Sequence, residues 1–127
     1  MRLGLVLISF ILGLGIAQAE ILVSPAHIDF GFVDIRWGGE QEFVYVRNVG
    51  PEPVNIDVTD IFCESEYIYV SNECLTTLLP NRSCSVRVVF DPMIPWRASC
   101  EIEIRPEGGP ATMVTVEGIG TDQWGFE

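Results

Sequence analysis

From Glu20 onward, apolar and polar residues alternate with a period of two, and glycine, proline or asparagine breaks the pattern every 8 to 12 residues. A period of two places successive side chains on opposite faces of a strand, and frequent turn residues keep those strands short. The pattern predicts strands near Ile21 to Val23, Ile28 to Val33, Glu42 to Asn48, Val54 to Ile61, Tyr67 to Ser71, Cys84 to Phe90, Ser99 to Arg105 and Thr112 to Gly118. No stretch carries a helical apolar face. The expected architecture is an all-β sandwich in which Val44, Val46, Val54, Ile56, Val58, Val86, Val88, Phe90, Ile102 and Ile104 face inward. Turns are expected at Asn48-Val49-Gly50-Pro51 and Glu107-Gly108-Gly109-Pro110, which combine residues that tolerate positive φ with a proline that donates no hydrogen bond.

The chain before Glu20 follows a different rule. Met1-Arg2 is a short positive start, Leu3 to Ile16 is an apolar run too short for a comfortable membrane span, and Ala17-Gln18-Ala19 is a small-x-small cleavage site. We therefore expect a signal peptide over 1–19, a single domain over 20–120 and a C-terminal tail over 121–127, with no membrane insertion after cleavage. An uncleaved anchor helix is the competing reading. The implied location is periplasmic or extracellular.

Charge narrows the partners. All 18 acidic residues follow the leader, whereas one of the seven basic residues, Arg2, leaves with it; 18 acidic against 6 basic residues give the processed chain a formal charge of −12. Lysine is absent and the arginines are scattered, so nucleic acid is excluded as an expected partner.

Four cysteines in an exported chain point to two disulfides, and four permit three pairings. Cys74 and Cys84 bracket a turn-rich segment, so a bridge there closes a short loop. Cys100 is in phase with the inward Ile102 and Ile104, and Cys63 ends the strand carrying Ile56 and Val58, so these two form the second candidate pair. A buried free thiol at Cys63 or Cys100 would behave as a small hydrophobe instead. A zinc site is disfavoured, since the chain has no C-x-x-C pair and a single histidine, His27.

Several of these stretches together resemble the ASH family of immunoglobulin-like domains, related in fold to major sperm protein and to pilus chaperones. The resemblance rests on Pro25 with Ile28-Asp29-Phe30-Gly31-x-Val33, on Val44-x-Val46-x-Asn48-x-Gly50-x-x-Pro53, and on Cys74 followed by Leu79-Pro80-x-x-Ser83-Cys84-x-Val86-x-Val88-x-Phe90-x-Pro92. It closes with Val114-x-Val116-x-Gly118-x-Gly120. It implies an immunoglobulin-like sandwich of seven to eight antiparallel strands serving in adhesion, scaffolding or assembly. Two positions depart from the family: Asn81 stands where glycine usually follows the proline of the Leu-x-Pro turn, and Pro95-Trp96 occupies a loop that usually carries glycine.

Candidate chemistry is sparse. His27 has no paired serine or cysteine motif, and neither a phosphate loop nor a nucleophile elbow is present, so the chain is expected to be no enzyme and to need no cofactor. Asp57, Asp60, Glu64 and Glu66 could ligate Ca²⁺ if their loop curled, but their spacing matches no EF-hand and a solvated acidic face accounts for them better. Trp37, Trp96 and Trp124 fall in loops or the tail and are the candidate partner contacts, against the alternative that they cap the open ends of the sandwich. The expected function is a non-catalytic structural or protein-binding module of the cell envelope or surface. A periplasmic assembly chaperone and a metal-binding domain are the alternatives.

Overall fold

The computed structural model describes residues 19–61, 63 and 66–122. Met1 to Gln18 of the expected leader, Glu64 of the acidic loop and Trp124 of the tail lie outside the described residues. Eight strands form: β1 (Ile21–Ser24), β2 (His27–Asp34), β3 (Glu40–Asn48), β4 (Ile56–Ile61), β5 (Ile68–Asn72), β6 (Ser83–Phe90), β7 (Arg97–Pro106) and β8 (Thr112–Thr121). They make two four-stranded sheets, in the orders β1-β3-β6-β5 and β2-β8-β7-β4. Thr121, expected in the tail, is the last residue of β8 and is buried.

Every neighbouring pair is antiparallel except β2 and β8, which run parallel with His27 opposite Thr115 and Val33 opposite Gly120. The reason lies in the chain's path. Pro25 cannot donate a ladder hydrogen bond, so it ends β1, and the segment continues in the same direction into the other sheet as β2. One extended stretch thus serves as the edge strand of both layers.

Alternation decides the core. Val44, Val46, Val86, Val88, Phe90, Ile102, Ile104 and Val114 are fully buried between the sheets, joined by Ile28, Val33, Ile68, Ala98 and Val116. Val58 is only half-buried, because β4 is an edge strand with a neighbour on one side alone. Phe90 packs against Phe30 with ring centroids 5.7 Å apart. Gly118 makes room for this pair, since a Cβ there would lie 2.6 Å from the Phe90 ring.

The turns resolve differently from one another. Asn81 and Gly108 take the left-handed region, with φ of 67° and 85°. Asparagine enters that region more readily than most residues, which is how Asn81 replaces a glycine. Gly50 does not use positive φ. Its amide instead donates to Oδ1 of buried Asn48 (2.9 Å), whose Nδ2 donates to the carbonyls of Glu52 (2.8 Å) and Leu78 (2.9 Å). Asn48 therefore pins the β3–β4 and β5–β6 connections together at one pole of the sandwich. The sulfurs of Cys74 and Cys84 are joined beside this pole, and those of Cys63 and Cys100 are joined near the other.

Candidate functional site

The opposite pole gathers the β2–β3, β4–β5 and β6–β7 connections and the end of β8. Backbone hydrogen bonds hold them in place: Ile35 donates to the Thr121 carbonyl (2.9 Å), Gly120 to that of Trp96 (2.8 Å) and Asp91 to that of Tyr67 (2.9 Å). A Cβ on Gly120 would collide with the Ile94 carbonyl and Pro92 and press on Ile35, so the β2–β3 and β6–β7 connections close directly over that glycine.

What this pole and the adjoining end of β2 present is apolar. Trp37 is 77% exposed, Trp96 71%, Phe32 67% and Met93 64%, with Ile94 also exposed. Leu75, Leu79 and Val49 are exposed at the Asn48 pole as well, but both described tryptophans are gathered at this one. The β6–β7 connection, Asp91-Pro92-Met93-Ile94-Pro95-Trp96, holds two prolines that restrict its backbone, and its Trp96 amide donates to the Ile94 carbonyl (2.9 Å). Trp37 stands on a second braced turn. The Asp34 carboxylate accepts from the Arg36 amide (2.9 Å), Nε (3.0 Å) and Nη2 (2.7 Å), while the guanidinium lies 5.6 Å from the Trp37 ring centroid. Hydrogen bonding to Arg36 lowers the Asp34 pKa to about 2.

A cavity of about 200 Å³ opens between the loops. Phe90 and Ala98 line it together with Ile94, Pro92 and Trp96, and Tyr67, Glu66 and Arg97 complete it. Beneath the pole, the buried Thr121 hydroxyl has no hydrogen-bond partner among the described residues.

Trp37 and Trp96 are thus brought to one pole, and neither is sunk as a plug into the sandwich. Of the acidic candidates, Asp57 and Glu66 have described side chains, and these two are far apart. Asp57 faces Arg105 near the far end of β7, while Glu66 lines the cavity beside Arg97 at the near end. No group of three or more His, Cys, Asp or Glu among the described residues is placed to hold a metal.

His27 has no partner in its own stretch of sequence. The parallel β2–β8 pairing supplies two on the outer face: Nδ1 lies 2.6 Å from Thr115 Oγ1 and Nε2 lies 3.3 Å from Glu117 Oε2. Hydroxyl, imidazole and carboxylate in sequence resemble a nucleophile relay. They line a shallow recess of about 220 Å³ with Ser99, Cys100, Glu101 and Val116, and both ring nitrogens are engaged across the strands. They act as a cross-strand clasp.

No family model matches the chain, and no curated protein matches it. Solved structures do. An ASH/PapD-like domain of human CEP192 (PapD-like domain 7) superposes with a TM-score of 0.64 at 11% identity, covering 84% of this chain and 88% of that one. WR4, a Caenorhabditis elegans member of the MSP family, gives 0.52 at 11% identity, over 82% of this chain and 100% of that one. The Pseudomonas aeruginosa CupB2 chaperone gives 0.56 at 11% identity, and the match spans 79% of this chain and 55% of the chaperone.

Proposed function

We propose that this chain, which has the ASH- and PapD-like immunoglobulin fold, is an exported, non-catalytic binding module of the cell envelope or surface whose working surface is the apolar pole. The observation that carries this is the joint exposure of Trp37 and Trp96 on connections that are themselves braced. A surface that holds aromatic side chains rigid before contact loses little entropy on binding, and aromatic anchors dominate interface energies. Export is supported by the leader pattern of residues 1–19 and by the two joined cysteine pairs, which persist in oxidising compartments.

The test uses a photo-crosslinking residue placed at Met93 on the pole or at Asp57 on a sheet face, in cells. We expect one specific adduct from Met93 and none from Asp57. Trp96→Ala should abolish the adduct and leave the far-ultraviolet circular dichroism and melting temperature unchanged, because the Trp96 side chain is mostly in water. Equal adducts from both positions, or an adduct indifferent to Trp96→Ala, refute the assignment.

A further inference from the structure

Resting on the pole as the working surface, the charge around it specifies the partner. Glu40 opens β3 beside Gly39, Asp91 follows β6, Glu66 lines the cavity, and Asp122 follows β8. Gly39 lies against Asp91, which draws Glu40 and Asp91 to the same side of the pole. Among the described residues at this pole, Arg36 and Arg97 oppose these four carboxylates, and the Arg36 guanidinium is already held by Asp34. The pole is therefore an apolar centre with an acidic rim on a chain of strongly negative total charge.

We infer that the pole receives a protein segment whose apolar side chains are flanked by lysine or arginine. The apolar residues would cover Trp37 and Trp96 and enter the recess floored by Phe90. The flanking cations would meet Glu66, Asp91, Glu40 and Asp122. Complementary rim charge raises the encounter rate and rejects partners of the wrong sign, whereas the apolar centre supplies most of the affinity. An anionic lipid surface fits poorly, since the rim repels it.

Two synthetic peptides with the same Leu-Phe-Leu centre, one flanked on both sides by paired lysines and one by paired glutamates, are titrated into the purified protein by calorimetry. The lysine-flanked peptide should bind about tenfold more tightly at low ionic strength. The difference should shrink toward nothing at molar salt, where the screening length falls to about 3 Å. Glu66→Gln with Asp91→Asn should weaken the lysine-flanked peptide alone, and Trp96→Ala should weaken both.

Equal binding of the two peptides, lost on Trp96→Ala, would overturn the basic-partner inference and leave the pole as a contact surface. Absence of both with no response to phosphatidylcholine vesicles, or binding indifferent to Trp96→Ala, would remove the pole itself. A blue shift of tryptophan emission with phosphatidylcholine vesicles and no response to either peptide would overturn the inference in favour of a lipid surface.

Discussion

Asn48→Ala isolates a single polar knot in an otherwise apolar interior. Asn48 is 1% exposed, and its side chain makes three hydrogen bonds: two donated to the Glu52 and Leu78 carbonyls and one accepted from the Gly50 amide. Alanine removes all three and leaves one amide and two carbonyls without these partners. At about 1 kcal/mol for each bond, the loss is about 3 kcal/mol. A domain of this size loses roughly 4–8 °C in melting temperature per kcal/mol, so the midpoint should fall by about 12–24 °C. Urea unfolding followed by tryptophan fluorescence measures it, with an unchanged m-value showing that the unfolded state is the same. Asn48→Asp should be at least as damaging at neutral pH, because it loses both donors and buries a charge, and should recover in part when the carboxyl is protonated. A loss under about 1 kcal/mol for the alanine variant would mean that water replaces the side chain, and the pinning role would fall.

Two further outcomes follow from the same geometry. Asp34 should titrate with a midpoint of about 2 rather than its ordinary 3.8 in carboxyl-carbon NMR, and Arg36→Ala should return it toward the ordinary value. Because the folded value is the lower one, the brace under Trp37 is at full strength above pH 4 and loosens as pH falls toward 2; an unshifted Asp34 would remove it. Cys74 and Cys84 should resist alkylation in denatured, non-reduced protein, and replacing both with serine should destabilise the fold by about 2–3 kcal/mol, the loop entropy of a ten-residue separation. Alkylation of Cys74 without reductant would exclude the bridge.

The layers of the fold were legible because side-chain alternation is a local property. Val44 and Val46, Val86 to Phe90, and Ile102 with Ile104 are buried as their spacing requires. The burial of Cys100 follows from the same phase. Relations between distant segments were not legible. Nothing in residues 27–34 announces a parallel partner, so Thr115 and Glu117 could not be assigned to His27, 88 positions away from the nearer of them. The exposed tryptophans were visible one at a time, but their common pole depends on which connections close over Gly120. Asn48-x-Gly50 was visible as a motif, while its true role, a side-chain bridge between two turns, needs Leu78 in place.

The parallel pairing of β2 with β8 joins the first quarter of the chain to its last strand. A polypeptide that emerges N-terminus first, from a ribosome or through a membrane channel, cannot complete that layer until β8 has followed. The entropy of closing so long a loop falls on the final step of assembly. The layer therefore closes only once β8 is available, whatever the order in which the other strands form.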